Sequence, residues 1–353
     1  MLANSQPPWQ FHPRKGFEAG LNVDTLCYLA YKALSWPVFP VLMAMFALIS
    51  DLRLLPLFLS LTLASLALVV YLYGFYLPTA PIDWSRQTVV LTGGSHGIGL
   101  SLLRLLATTE AAARIAVIDI NELPDSAPAC ARLYKCDLGD SCAVETTVEC
   151  IQRDLGPVTM LINNAGTVCP KLFADNSLAD IQRVMAVNAL APMQLTQLVL
   201  SGMLRQEHAH LVYVSSVLAF LGVPQVASYN ASKAAVAVFQ ESLRIELERR
   251  MDAGHVRVTG VFPSMVETGM FAGTRMPRWL SPRVVPEDVA EWIFWMLHYG
   301  RGGDLYMPLY ANLAPLYMAL PRAGRMFVHW LGGSIDAMRS FRGHRGREPT
   351  ISM

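Results

Sequence analysis

Residues Gln87–Gly99 read QTVVLTGGSHGIG. Thr88 to Leu91 are apolar or β-branched without strict alternation, as suits a strand buried on both faces of a parallel sheet. Gly93, Gly97 and Gly99 follow, and a helix is predicted to begin near Ile98. Glycines between a strand and a helix let the backbone approach a pyrophosphate at the helix N-terminus. Free N–H groups and the helix dipole favour an anion there. The spacing G-x-x-x-G-x-G differs from the G-x-G-x-x-G of the common dinucleotide fingerprint, so the turn needs support from further along the chain.

Asp119 supplies it, twenty residues after Gly99 at the end of RIAVIDI. A carboxylate there accepts hydrogen bonds from the adenosine ribose hydroxyls and repels a 2′-phosphate. The plainer reading is a strand-end turn acid. No Arg or Lys lies within Gly93–Gly97 or immediately after Asp119, and His96 is the only candidate partner for such a phosphate. NAD is therefore expected over NADP. Asp137 follows a predicted third strand, RLYKC, within reach of an adenine amino group. Residues 141–155 fit a helix, and VTMLINNAG a fourth strand closed by Asn163, Asn164, Ala165 and Gly166.

Ser177 and Asp180 form a capping box opening a long helix that carries Asn188. An asparagine among apolar residues must find hydrogen bonds. It either holds a nearby carbonyl or positions a water beside a lysine. HLVYVSS reads as a fifth strand delivering Ser216. A helix over about 227–251 carries Tyr229 and Lys233, VRVTGVFP is the sixth strand, PEDVAEWIFWMLH an amphipathic helix and DLYMP the last strand. The fold class is α/β, a Rossmann-type doubly wound parallel sheet of about seven strands, preceded by an apolar helical segment.

Tyr229 and Lys233 are four apart, on one helix face. A phenol titrates near ~10 and is a poor base at neutral pH. A nearby ammonium favours the phenolate and lowers that value. Ser216 can then hold a substrate oxygen while Tyr229 takes or gives its proton.

TGGSHGIG, Asp137, NNAG, Asn188, Ser216, Tyr229-x-x-x-Lys233 and FPSMVET occur in the order found in the short-chain dehydrogenase/reductase superfamily, which residues 87–310 resemble. The resemblance implies catalytic roles for four residues. Tyr229 is the general acid/base, Ser216 binds the reacting oxygen, Lys233 holds the nicotinamide ribose, and Asn188 supports a water relay. It implies cofactor contacts from Gly93, Ser95, Gly97, Ile98, Gly99, Asp119, Asp137, Asn164, Tyr229, Lys233, Val266 and Thr268. One departure is Pro263-Ser264, where the family usually has Pro-Gly, which puts the local loop geometry in question. Met265, Met270, Phe271, Met276, Trp279 and Leu280 fall in the superfamily's substrate loop, and an apolar, adaptable lining suits a lipid-like substrate.

Residues 1–32 are polar and mixed. Stretches 33–50 and 54–77 carry no charge, and Asp51 and Arg53 separate them. As helices they would extend about 27 and 36 Å, against a hydrocarbon core of about 30 Å. Tyr71, Tyr73 and Tyr76 sit where an interfacial aromatic belt belongs. Residues 33–77 are thus expected to enter a membrane as a hairpin or helix pair, and 78–86 to form a linker. Arg14, Lys15 and Lys32 before the stretches and Arg86 after them predict a cytosolic N-terminus and main domain. The tail, 311–353, is apolar and then basic. It suits a helix on a membrane or over the substrate mouth, or one packed on the domain. Anchor and tail together resemble the branch holding epidermal retinol dehydrogenase, retinol dehydrogenase 10 and the lipid-droplet 17-beta-hydroxysteroid dehydrogenases. That resemblance implies a hydrophobic alcohol substrate at the endoplasmic reticulum or lipid droplets, and the superfamily's habit of pairing long helices leaves a homodimer open.

Hydrophobic residues make up 53% and charged residues only 16%, an apolar balance that fits the anchor, and the net charge of +1 gives no electrostatic case for nucleic acid. The six cysteines include no C-x-x-C pair and no zinc spacing, so no metal is expected. Two rivals remain: an NADP-dependent reductase of a lipid ketone such as a sphingolipid precursor, against which Asp119 counts, and a non-catalytic lipid-droplet or membrane scaffold, against which the intact Asn188, Ser216, Tyr229 and Lys233 count.

Overall fold

The computed structural model describes residues 80–111, 114–277, 281–339 and 341, together with Thr62 and Leu63. The membrane segment expected at 33–77, apart from that pair, lies outside the described residues, as do 1–32 and 342–353.

Seven strands form one parallel sheet: β1 (Val89–Thr92), β2 (Ile115–Asp119), β3 (Arg132–Lys135), β4 (Met160–Asn163), β5 (Ala209–Val214), β6 (Val256–Pro263) and β7 (Gly303–Met307), in the order β3-β2-β1-β4-β5-β6-β7. The expected doubly wound Rossmann-type sheet is present. The order reverses between β1 and β4, and the strands there splay into a crevice at their carboxyl ends. β1, β2, β4 and β5 are buried along their whole length, which is why they read as apolar runs. Successive side chains nonetheless enter different cores. Val89, Leu91, Ile115, Val117, Met160 and Ile162 face one side, while Val90, Ala116, Ile118 and Leu161 face the other.

Helices α1 (Gly97–Leu106) and α6 (Pro286–His298) cover the first face, with Leu102, Leu103, Ile293 and Met296 fully buried between them and the sheet. The second is covered by α2 (Ser141–Leu155), α4 (Ala191–Met203) and α5 (Ala227–Arg249). Of the segment read as a linker, Ile82 and Trp84 are joined to α6. The Ile82 N–H donates to the His298 carbonyl, and the Trp84 ring stacks on Phe294 at 5.6 Å with its Nε1–H on His298 Nδ1.

The capping box at Ser177 and Asp180 opens α3 (Leu178–Met185) as expected. A π-helical turn, Ala186–Leu190, joins α3 to α4, so Leu178–Met203 runs on as one helix. Among the described residues it is the helix long and apolar enough to cross a membrane, but half of its most apolar window is buried in the domain. It belongs to the core.

After β7 the chain forms a short helix, α7 (Ala314–Tyr317), then α8 (Arg322–Gly332), which ends on Gly333 in the left-handed region. Tyr317, Ala337 and Met338 are buried, so the described tail packs on the domain.

Asp140 caps α2 by accepting from the N–H groups of Cys142 and Ala143 at 3.0 and 3.1 Å. Asp140→Ala is expected to destabilise the fold by about 1 kcal/mol and to lower Tm by about 2–4 °C, measured by a thermal melt.

Candidate active site

A cleft of about 270 Å³ opens at the β1/β4 reversal. Its floor is the glycine turn. Gly93 and Gly97 have φ of 71° and 57°, a region that L side chains rarely adopt. A β-carbon on Gly99 would overlap the Gly93 carbonyl oxygen, and one on Gly97 would stand 2.9 Å from Thr268 Cγ2. The turn therefore folds tightly on itself and lets the loop after β6 close against it. Asn164 braces the opposite wall, donating to the carbonyls of Thr92 and Gly93 at 3.0 and 2.9 Å, while Thr92 Oγ1 accepts from the N–H groups of Asn164 and Ala165.

Asp119 lies at the end of β2 with its side chain in the cleft wall. Its carboxylate accepts from the Ser95 and Asn121 N–H groups, both at 2.9 Å. It is thus both a turn acid and a cleft acid, since two backbone amides fix its position without using all of its lone pairs. Asp137 also lines the cleft, paired with Arg183 at 2.6 and 2.7 Å. Gly93, Gly97, Ile98, Asp119, Asp137, Asn164, Val266 and Thr268 all line the cleft, whereas Ser95 and Gly99 stand behind its surface as supports. The cradle fits a dinucleotide: a helix N-terminus with glycine approach, then a carboxylate at the adjoining strand end.

Ser216, Tyr229 and Lys233 converge at the inner end of the cleft, and all three are buried. Ser216 follows β5 and accepts the Leu218 N–H at 3.1 Å. Lys233 Nζ donates to the Val214 carbonyl at 2.7 Å and lies 5.7 Å from the centre of the Tyr229 ring. A β-carbon on Gly166 would stand 3.6 Å from both Asn188 Oδ1 and Lys233 Nζ, so those side chains meet at this glycine. The Asn188 amide accepts from the Thr167 N–H at 2.8 Å, and donates to the Thr167 carbonyl at 2.9 Å and to Ser232 Oγ at 3.0 Å. Its side chain ties the chain after β4 to α5.

The Tyr229 phenol departs from the expected direction. Burial raises its pKa, and the Ser216 hydroxyl beside it only partly offsets that. Lys233 is pushed down to about 8 by burial. Desolvation penalises both charged forms and outweighs the expected help from lysine.

Pro263-Ser264 works without glycine. Ser264 is not in the left-handed region, and its hydroxyl bonds the Tyr310 hydroxyl at 2.7 Å. The apolar substrate loop and the tail expected over the mouth meet above Tyr229. Phe271 stands edge-on to the Tyr229 ring at 5.5 Å, and Phe341 edge-on to Phe271 at 6.3 Å. Met338 is buried in the same cluster as Tyr229, with Leu218 and Val223 alongside. The tail is laced to the loop after β6 by the Arg275 N–H on the Ala337 carbonyl at 3.1 Å. No motif marks these residues. The only sign was that the loop and the tail are both apolar.

A dinucleotide cradle with a buried proton donor at its inner end is the equipment of a nicotinamide-dependent oxidoreductase. The profile of the short chain dehydrogenase family matches residues 87–278, more than half of the chain, which belongs to that family. Its members are oxidoreductases acting on CH–OH groups with a nicotinamide cofactor. Human short-chain dehydrogenase/reductase 3 is 30% identical over 282 residues, covering 76% of this chain and 91% of the relative. Retinol dehydrogenase 10 of Xenopus tropicalis is 37% identical over 153 residues, 43% of this chain and 45% of that one. The aldohexose dehydrogenase of Thermoplasma acidophilum shares the fold, with a TM-score of 0.54 at 21% identity over 65% of this chain and 94% of that one.

Gly99→Ala is expected to abolish nucleotide binding, measured by isothermal titration, because the new methyl group displaces the Gly93 carbonyl. A second expectation concerns pH. Unfolded, Lys233 keeps its proton to about 10.5, whereas the folded cofactor-free chain releases it near 8. Between those values the unfolded state binds more protons, so stability rises with pH; the penalty is complete below the folded value. Tyr229, raised by burial, acts in the opposite sense above 10.0. The Tm of the cofactor-free chain should climb between pH 8 and 10, and Lys233→Met should flatten the climb.

Proposed function

We propose that the protein is a membrane-anchored oxidoreductase that interconverts a hydrophobic alcohol and its carbonyl compound with NAD(H). The observation that carries the substrate class is the apolar wall of Phe271, Met338 and Phe341 over the Tyr229 phenol. A small polar substrate would leave its own polar groups unpaired against that wall. Retinoids, steroids and long-chain alcohols fit it, and the similarity to proteins named for retinol supports the same class.

NAD, when bound, supplies the hydride acceptor. Gly93, Gly97, Ile98 and Thr268 hold its phosphates and nicotinamide end, Val266 packs beside them, and Asn164 keeps the cradle in shape. Asp119 takes the adenosine ribose and Asp137 the adenine end. The Asp119 carboxylate, with no cation beside it in the turn, disfavours a 2′-phosphate and supports NAD over NADP. Ser216 holds the reacting oxygen, and Tyr229 exchanges a proton with it. Burial keeps Tyr229 as the neutral phenol, the form that donates a proton when a carbonyl is reduced. For alcohol oxidation the phenol must first lose its proton, and Lys233 is the cation placed to favour that. Asn188, through Thr167 and Ser232, fixes the lysine's surroundings.

Stretches 33–50 and 54–77 support anchoring in the endoplasmic reticulum membrane or on a lipid droplet, with the catalytic domain in the cytosol. Exposed Leu190, Val238 and Ile245 on the long helices support a homodimer through that face.

The test is NADH fluorescence with detergent-solubilised protein, offered NAD or NADP with retinoids, steroids and long-chain alcohols. NAD-dependent turnover of one lipid class is expected. Tyr229→Phe should keep NAD binding and lose turnover by a factor of ~10² or more. Turnover only with NADP would overturn the cofactor assignment, and wild-type turnover in Tyr229→Phe the catalytic one.

A further inference from the structure

Helix α8 is amphipathic, but its sides are reversed. A surface helix of a soluble domain turns its apolar stripe to the core. Here the inward side holds Gly324, Arg325, Val328, His329 and Gly332, with Val328 its one large apolar residue. Gly332 is buried, and His329 bonds the Tyr317 hydroxyl through Nε2 and the Ser334 hydroxyl through Nδ1, both at 2.6 Å. The outward side carries Met326, Phe327, Trp330 and Leu331, with Phe327 58% and Trp330 71% exposed. Phe327 and Trp330 lie against each other at 5.8 Å, so they present one continuous apolar surface. Leu316 and Met318, just before the helix, extend it. An exposed patch of this kind on a folded surface marks an interaction site.

The geometry points to a lipid surface as the occupant: α8 docks in the plane of the membrane interface, and the substrate mouth is held there with it. Two features favour lipid over a protein partner. Arg322 is exposed at the start of α8, and Arg339, Arg342, Arg345 and Arg347 follow in the sequence, a basic character that complements anionic headgroups. The same chain carries the uncharged stretch 54–77, long enough to hold the domain at a bilayer. The consequence for the site follows from chain continuity. Phe341 follows Gly332 by nine positions; over that stretch Ala337 bonds the loop after β6, and Met338 and Phe341 join the wall over Tyr229. A substrate dissolved in the lipid then enters the chamber beside α8 without crossing water. This deepens the proposed function, and its lipid-substrate clause rests on that reading. The docking itself does not.

The test uses the full chain in vesicles of phosphatidylcholine and phosphatidylserine. Trp330→Cys carries an environment-sensitive fluorophore, with Cys27, Cys130, Cys142, Cys150 and Cys169 replaced by Ser, and an equivalent label at exposed Glu145 on α2 is the control. A spin-labelled lipid is the quencher. The label at position 330 should lose about half or more of its emission, as expected for a side chain seated at the headgroup–acyl boundary, while the label at 145 keeps its emission. Equal, weak quenching at both positions with the chain still floating with the vesicles would overturn the docking. So would cross-linking of position 330 between two copies without quenching, which would assign the face to a dimer. Neither readout depends on turnover. If the reaction assay succeeds, Phe327→Glu with Trp330→Glu should raise KM for a vesicle-borne alcohol and leave kcat and the KM of a short water-soluble alcohol unchanged. An equal loss with both substrates would overturn the delivery role.

Discussion

The site depends on one constraint, the reversal of strand order between β1 and β4. Where neighbouring parallel strands send their chains to opposite faces, the sheet leaves a crevice at its carboxyl edge that no crossover fills. The glycine turn and the Asn163–Gly166 segment come to that edge because they follow β1 and β4, the strands bordering the crevice, and Asp119 joins them from the end of the next strand, β2. The crevice must also keep its shape without a crossover to fill it. Asn164 does this by donating two hydrogen bonds to carbonyls at the β1 end, and the Thr92 hydroxyl accepts two more from the Asn164 and Ala165 N–H groups. These bonds join the two halves of the fold at the place where they would otherwise part.

Burial then sets the chemistry. Tyr229 and Lys233 lie four apart on α5 with their side chains out of solvent, and both are pushed toward their neutral forms. In the cofactor-free chain the lysine has a carbonyl for a partner and no carboxylate. The pair is therefore unfavourable for folding, and titratable groups shifted by burial in a cleft are a combination typical of functional sites. The nearby Asn188, Thr167 and Ser232 are satisfied by one another, so the cost of burial falls on Tyr229 and Lys233.

Most of the fold was legible because its elements are local. Parallel strands buried on both faces read as apolar runs, and α2, β6 and α6 begin and end where caps and periodicity place them. The site was legible where a motif has a backbone reason, as in the glycine turn and Tyr-x-x-x-Lys. Three features were not. The π turn at Ala186–Leu190 leaves no sequence signature, though it sets the direction of Asn188. The upward shift of Tyr229 comes from burial by distant segments, while the sequence displays only the nearby lysine. Met338 and Phe341 reach Tyr229 from the far end of the chain, and no spacing rule connects residues that meet only through tertiary packing.

That last contact gives the C-terminal segment a physical logic. Ser264, in place of the family's glycine, spends its hydroxyl on Tyr310, and the Arg275 amide holds the Ala337 carbonyl. Thr274 Oγ1 on Met338 Sδ and the Tyr310 hydroxyl on Ser281 add to these bonds between the loop after β6 and the chain after β7, and together the two segments cover the phenol. A wall made from two such segments is held by tertiary packing and side-chain bonds, outside the hydrogen-bond ladder of the sheet. The Tyr229 phenol, raised by burial, thus owes part of that burial to a loop and a tail that are distant in sequence and pack together over it.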